Sequence, residues 1–404
     1  MNGKIIVCLA LLVMSFSCQS EKKEDIVVSN FDFASKQLTF ALKEIEKAKQ
    51  EEQGPALLVS PRTLENGKLV LVPSRDWTSG FFPGELWYMF EYTKDPEWKQ
   101  YAQKYTDFIE REKTNGVTHD MGFKVYCSFG NAYRLTNDER YRDILLESAY
   151  TLITRYKPNA KTLRSWDHNA HRWQCPVIID NMMNLELLFW AFKESNDSTF
   201  YDVAVNHAYT TIENHFRPDF GTYHVVDYDT ITGAVLNKNT HQGYADESTW
   251  ARGQAWALYG YTMCYRETNN PDFLNMAKKI ADFIFDNPNL PEDLIPYWDY
   301  DAPEIPNEPR DVSAATCTAS ALYELSLYDS ANSEKFKSLA DTILENISKN
   351  YKAKLNDDGG FLLLHSTGSK PANSEVDVPL VYADYYFLEA LLRKQKLETT
   401  GTIF

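Results

Sequence analysis

This 404-residue chain has no excess of basic charge: 41 lysines and arginines face 57 aspartates and glutamates, for a formal charge of −16. Nucleic-acid phosphates are bound by clustered Lys and Arg, so that class of partner is excluded. Past the N-terminus, no stretch approaches the ~20 consecutive apolar residues needed to cross a bilayer. Cys127, Cys175, Cys264 and Cys317 contain no C-x-x-C pair, and three of them fall inside apolar helical patterns. Nothing in their spacing implies a disulfide framework. None of the eight histidines belongs to an H-E-x-x-H motif. His168 and His171 have usable ligand spacing, but they sit in a loop with no obvious third ligand and read as loop polar residues. No metal and no cofactor are expected.

The N-terminus is where apolar character is concentrated. Lys4 precedes the apolar run Ile5 to Met14, then Ser15-Phe16-Ser17-Cys18 and the polar stretch Gln19 to Asp25. A basic start, a short apolar core and small residues form an export signal, too short to span a membrane. The cysteine at its boundary resembles a bacterial lipoprotein signal, although Ser15 stands where the commonest form has Leu. Cys18 is then the lipidated first residue of the mature chain. The alternative is an ordinary secreted protein cut nearby. Residues 1–25 are thus expected to be signal and polar tether, and 26–404 one domain. The expected location is outside the cytoplasm, anchored by lipid in the periplasm or outer membrane of a Gram-negative bacterium.

Aromatic residues make up 14% of the chain, with 25 Tyr and 9 Trp. Their faces bury area and can also stack on sugar rings. Many lie in a repeating pattern punctuated by a short polar connector: Thr93 to Trp98, Thr136 to Tyr141, Asn196 to Phe200, Thr268 to Phe273 and Ser330 to Phe336. Asn, Asp, Ser and Pro in these connectors supply the end of one helix, a turn and the start of the next. The helix before each connector is apolar almost all round (Gly84 to Tyr92, Phe123 to Leu135, Met182 to Phe192, Ala255 to Tyr265, Ala315 to Leu327), which predicts a buried position. The helix after it is amphipathic, as in Tyr101 to Glu112. Phe33 to Lys47 supplies a further outer helix and Val381 to Leu392 a further inner one. Twelve alternating helices predict an all-α fold, an (α/α)6 barrel. Leu69 to Val72 and Tyr223 to Val226 are candidate short strands.

In such a barrel the short connectors share one end, and the long loops leading into the inner helices share the other. Those long loops carry Arg75-Asp76-Trp77, His119-Asp120, Asp180-Asn181, Thr249 to Arg252, the Pro-rich stretch 287–311 and the segment His365 to Asp377. Two aspartates, histidine, arginine and tryptophans therefore converge on one mouth. Each has an ordinary reading as well. Asp120 and Asp180 stand where helix-capping aspartates stand. Trp77 and Trp256 suit core or rim packing, Arg252 could pair with a loop carboxylate such as Asp246 or Glu247, and His224 could be a satisfied half-buried histidine.

The ordered segments Asp76-Trp77-Thr78-Ser79-Gly80-Phe81-Phe82-Pro83-Gly84, His119-Asp120-Met121-Gly122-Phe123, Asp180-Asn181-Met182-Met183-Asn184-Leu185 and Arg252-Gly253-Gln254-Ala255-Trp256 resemble glycoside hydrolase family 88, the unsaturated glucuronyl hydrolases. The likeness extends to Pro296 to Pro303 and Tyr382 to Leu391, so it runs from about Trp77 to Leu391. It implies removal of the 4,5-unsaturated uronic acid left on polysaccharide fragments by lyases. In that chemistry an alkene carbon is protonated, water adds at its neighbour, and the resulting hemiketal opens to release the aglycone. One carboxyl group serves as both acid and base. The resemblance assigns this role to Asp180 and makes Asp120 the second catalytic carboxylate. Its negative charge is expected to raise the proton affinity of Asp180, against the opposing pull of a helix N-terminus.

The resemblance further implies that Trp77 and Trp256 stack on or wall the unsaturated ring. His119, His224, His241 and Gln242 would line the pocket, and Arg252 would bind polar groups of the uronate. Ser366-Thr367-Gly368-Ser369-Lys370 combines hydroxyls, glycine-associated amides and a lysine. Ser366, Ser369 and Lys370 are therefore candidates to receive a sulfate, which favours glycosaminoglycan fragments; a surface loop with incidental Ser and Lys is the alternative. The remaining alternatives are the same chemistry on rhamnogalacturonan, ulvan or alginate fragments, an inverting glycosidase, and a non-catalytic glycan-binding lipoprotein.

Overall fold

The computed structural model of the chain describes residues 25–51 and 57–404. The signal segment and Cys18 lie outside the described residues. Among the described residues, twelve α-helices alternate between an outer and an inner ring. The outer ring is α1 (Ile26–Glu51), α3 (Pro96–Asp107), α5 (Glu139–Ile153), α7 (Ser198–His215), α9 (Pro271–Asp286) and α11 (Ser333–Asn350). The inner ring is α2 (Phe81–Thr93), a π-helix (Gly122–Gly130) continued by α4 (Asn131–Thr136), then α6 (Leu185–Ser195), α8 (Ala251–Thr268), α10 (Val312–Leu325) and α12 (Val381–Thr400). α12 packs on both α10 and α2 and so closes the ring. This is the expected (α/α)6 barrel.

The pattern of burial follows the polarity of the sequence. Every residue of α8 from Ala251 to Cys264, and every residue of α10, is buried. In α9 only one stripe is buried, which includes Phe273, Met276, Ile280 and Ile284 at helical spacing. Four connectors repeat one hydrogen-bonded device. Lys94, Asn137, Asn196 and Asn269 take the left-handed conformation that ends the inner helix. The next residue (Asp95, Asp138, Asp197 or Asn270) then accepts the amide two positions on, at 2.9–3.0 Å. Its own amide donates back to the hydroxyl of Thr93, Thr136, Ser195 or Thr268. Each such cap contributes ~1 kcal/mol and fixes where the chain reverses.

The second inner helix departs from expectation. Instead of one α-helix over Phe123 to Leu135, its first nine residues form a π-helix, a rare form associated with functional sites. Its first amides, on Gly122 and Phe123, donate to the Asn184 side-chain oxygen at 2.8 and 3.2 Å. A Cβ on Gly122 would stand 2.7 Å from the Asn184 Cα, so glycine is what permits this approach. The strand content exceeds the two expected pieces. β1 (Leu58–Glu65) pairs with β2 (Lys68–Pro73), β3 (Tyr156–Lys157) with β4 (Thr162–Leu163), and β5 (Pro176–Ile178), β6 (Val225–Tyr228) and β7 (Val235–Asn239) form an antiparallel sheet in that order. Among the described residues, no helix is long and apolar enough to cross a membrane, and no group of three or more His, Cys, Asp and Glu is arranged to hold a metal ion. Cys127, Cys175, Cys264 and Cys317 are buried free thiols.

Candidate active site

Asp180 follows directly on β5, in the 3-10 turn Ile179–Asn184 that leads into α6. The Ile179 amide donates to the His224 carbonyl at 3.1 Å, which ties this turn to the entry of β6. On the other side α8 presses close: a Cβ on Gly260 would lie 2.5 Å from the Met182 Cβ. Asp180 is thus wedged between sheet and inner helix, 7% exposed, with Oδ2 lacking any hydrogen-bond partner. Burial pushes its carboxyl up to about 6, with a small further push from Asp120; His119, Arg252 and its own backbone amide pull the other way. The increase expected from Asp120 is present, but desolvation is its main source.

Asp120 precedes the π-helix and behaves in the opposite sense. Its Oδ1 lies 3.1 Å from His119 Nε2, and its Oδ2 accepts from the Thr118 hydroxyl at 2.5 Å. Burial alone would raise this carboxyl, but His119 and Thr118 outweigh it and hold the group below its ordinary value. Neither aspartate caps a helix with its side chain; those positions are held by Met121 and Ile178. Two neighbouring carboxyls with proton affinities pushed apart are an acid and a carboxylate in one site.

His224 is 2% exposed, and its Nδ1 accepts two backbone amides, from His241 at 3.2 Å and Gln242 at 3.1 Å. Nδ1 therefore carries no proton, and the neutral ring bears its hydrogen on Nε2. That Nε2 lies 3.7 Å from the free Asp180 Oδ2 and has no other partner. Burial, with His241, Arg252 and His215 nearby, holds the ring well below its ordinary pKa, so it is a neutral donor aimed at Asp180. The ring is thus buried, not half-buried, and only its Nδ1 is satisfied.

The remaining expected residues divide into those at the mouth and those behind it. Trp77 is half-buried at the mouth, its ring against Phe81, Phe123 and Tyr382. His241 is exposed and flanked by Trp166 and Trp173. Gln242 donates from Nε2 to the Gly368 carbonyl at 3.0 Å. Trp256 has no exposed face: it is fully buried against Phe123 and Tyr386, so its expected stacking on the sugar is corrected to support from beneath. Ser366 is likewise fully buried, with its hydroxyl unpartnered. Ser369 pairs through its backbone with Ser374, while the Lys370 ammonium is held by Glu308.

Arg252 pairs with a loop carboxylate, though not with either neighbour in sequence. It pairs with neither Asp246 nor Glu247 but with Asp311, at 2.6 Å, and it donates to the carbonyls of Thr367 and Gly368 at 2.6 Å each. At 1% exposure, with only Nε unpartnered, its guanidinium ties the 366–370 loop to α10 and presents no open fork for a uronate. Three contributors escaped sequence reasoning. Asn184 bonds the π-helix amides and approaches the Asp180 carbonyl at 3.5 Å. Trp166, with a buried unpartnered Nε1, stacks on His168 at the mouth. Tyr382 lies under both Trp77 and Arg252. Their signal was available in position: Asn184 and Tyr382 lie at the starts of inner helices, and Trp166 lies in the long loop between α5 and α6. A cavity of about 460 Å³ runs inside the barrel from Gly122, Phe123 and Met183, beneath the site, to Tyr88, Glu389 and Arg393 toward the connector end; neither Asp120 nor Asp180 lines it.

The sequence model of Glycosyl Hydrolase Family 88 matches residues 62–389. The chain belongs to this family. It is 47% identical over 395 residues to an unsaturated glucuronyl hydrolase of Formosa agariphila, covering 97% of this chain and 98% of that one. It is 32% identical over 343 residues to an unsaturated chondroitin disaccharide hydrolase of Streptococcus agalactiae, covering 83% of this chain and 85% of that protein. A crystal structure of an unsaturated glucuronyl hydrolase specific for heparin superposes with a TM-score of 0.87 at 44% identity, over 93% of this chain and 98% of the other.

Proposed function

We propose that the protein is an unsaturated glucuronyl hydrolase that removes the unsaturated uronic acid from lyase-generated glycosaminoglycan fragments. The observation that carries this reading is Asp180: a buried carboxyl raised to about 6, with one free oxygen and a neutral histidine donor beside it. A carboxyl that holds its proton in mildly acidic solution can deliver it to an alkene carbon. The anion left behind takes a proton from water, whose hydroxyl bonds to the neighbouring alkene carbon. Water is thereby added across the double bond and Asp180 is protonated again. The hemiketal then opens and the aglycone departs as an alcohol. His224 Nε2–H stabilises the Asp180 carboxylate while it is charged, and Asp120, held ionised, balances the positive charge that develops on the ring.

The test is loss of the conjugated-alkene absorbance of unsaturated chondroitin and heparin disaccharides. Loss of absorbance supports the reading. No loss with either moves the substrate to a plant or algal uronide, and cleavage of a saturated p-nitrophenyl glycoside would replace it with an inverting glycosidase. The same assay gives the pH dependence. Because the protonated Asp180 is the active form, kcat/KM for alkene loss is expected to hold below about pH 6 and fall roughly tenfold per unit above it. A flat profile between pH 5 and 8 would remove Asp180 as the proton donor.

Sulfate recognition by the 366–370 loop belongs to this reading. The Lys370 ammonium and the Ser369 hydroxyl lie on the loop held by Arg252 and Gln242, and an incoming sulfate would compete with Glu308 for Lys370. The double change Ser369→Ala, Lys370→Ala is expected to raise KM for a sulfated disaccharide severalfold and leave its unsulfated counterpart unchanged. Equal effects on both substrates would remove the loop from sulfate recognition. The N-terminal signal supports export and anchoring through a lipidated Cys18.

A further inference from the structure

The first described residues lie far from the carboxylates. α1 begins at Ile26, and Asp25 and Ile26 share a surface depression with Leu344, Lys394 and Glu398. Phe31 stacks on Tyr92 at 3.9 Å between centroids, next to the Thr93 that ends α2. Five inner helices run from the mouth to a connector, and α12 runs in the same sense from the mouth toward the C-terminus, so Tyr92, Lys394 and Glu398 mark the connector end. From Val381 at the mouth to Glu398 is 17 residues of α12, about 25 Å of helix rise. The mouth loops, among them the β6–β7 hairpin, extend beyond Val381.

Cys18 precedes Asp25 by seven positions, with only Gln19 to Glu24 between them. Seven residues fully stretched span at most about 25 Å. From this geometry we infer that the connector end of the barrel faces the lipid surface and the active-site mouth faces away from it. This rests on the lipid-anchor reading of Cys18. For the mouth to face the bilayer, the tether would have to run the full length of the barrel and past the mouth loops. Its reach is used up before those loops are accommodated. The connector end carries mixed charge, including Asp95, Glu97, Glu139, Lys335, Lys394 and Glu398, on a protein of net charge −16. With acidic and basic residues mixed at this end, the length and attachment point of the tether set the orientation. Soluble anionic oligosaccharides then reach Asp180 from the aqueous side without crossing the headgroup layer.

The test uses the lipidated full-length protein in phosphatidylcholine vesicles containing an energy-accepting headgroup dye. The cysteines of the described residues are buried, so a maleimide donor can be placed selectively at Glu139→Cys, on a connector, or at Ile231→Cys, on the β6–β7 turn at the mouth. The Glu139 label is expected to lose at least twice as much donor emission as the Ile231 label. Vesicle-bound protein and a soluble form that starts at Gln19 should turn over an unsaturated disaccharide at kcat/KM values within twofold. Stronger quenching at Ile231, or equal quenching at both, overturns the orientation while leaving the enzyme reading intact. Mass spectrometry showing no acyl group on Cys18 overturns the anchor and the orientation together, again without touching the activity.

Discussion

Asp180→Asn is expected to abolish alkene loss and, at neutral pH, to make the protein harder to unfold. Asparagine keeps the shape of the side chain but can neither hold nor deliver the transferable proton. Removing the group that protonates the alkene should lower kcat by at least ~10³-fold, toward the upper range for loss of a general acid. The stability effect follows from the same burial. In the folded chain the carboxyl binds its proton up to about 6, against an ordinary value of 3.8 when unfolded. The folded state is therefore the stronger proton binder. Its Asp180-linked stability is fully present below about pH 4, is lost as the pH rises to about 6, and stays lost above that. Two pH units correspond to ~3 kcal/mol. The variant, uncharged throughout, should exceed wild type by up to about that amount at pH 7 and match it at pH 4. Urea unfolding of both proteins at the two pH values measures this. Equal stability at pH 7 would mean that Asp180 is not held in a desolvating site, and turnover within tenfold of wild type would remove it as the acid.

The barrel was legible because its signals are local. Each connector packs a helix end, a turn and a cap into about six residues, and Thr93, Lys94 and Asp95 carry the device in their own side chains and backbone. The same alternation places the long loops at one end, so the convergence of Asp120, Asp180, His224 and Trp77 could be read before any distance was known. Other features depend on chain path and leave no mark in composition. A π-helix and an α-helix over Gly122–Gly130 have the same residues; what selects the wider turn here is contact with Asn184, 62 positions from Gly122. Which His224 nitrogen carries the proton depends on the backbone amides of His241 and Gln242, which any residues could supply. Arg252 has carboxylates five and six positions away in sequence, yet its partner is Asp311, brought in by the next inner helix. Near neighbours in sequence were the natural guess, and the packing of α8 against α10 overrode it. Trp256 shows a related limit: on an inner helix, the side chains that touch substrate and those that support them share one apolar pattern.

Arg252→Ala is expected to destabilise the fold by ~3–5 kcal/mol, the usual consequence of removing one partner of a buried ion pair. Asp311 is fully buried and would keep a charge with no counter-ion. It also caps α10 by accepting the Ser313 amide at 3.1 Å, so its distress would spread to an inner helix. The carbonyls of Thr367 and Gly368 would lose donors at 2.6 Å, leaving Gln242 as the remaining donor to the Gly368 carbonyl. Since Gln242 also supplies one of the two amides that fix His224, loosening of the 366–370 loop should reach Asp180 through that histidine. The expected kinetic signature is a fall in kcat, not a rise in KM alone. A second variant separates positioning from charge: Arg252→Met combined with Asp311→Asn leaves no uncompensated charge and should recover at least half of the lost stability. It should not recover kcat, because neither replacement supplies the planar set of donors that holds both carbonyls. If instead Arg252→Ala unfolds at the same denaturant concentration as wild type and only KM rises, then the guanidinium acts on the uronate directly and its contacts to the loop carry little weight.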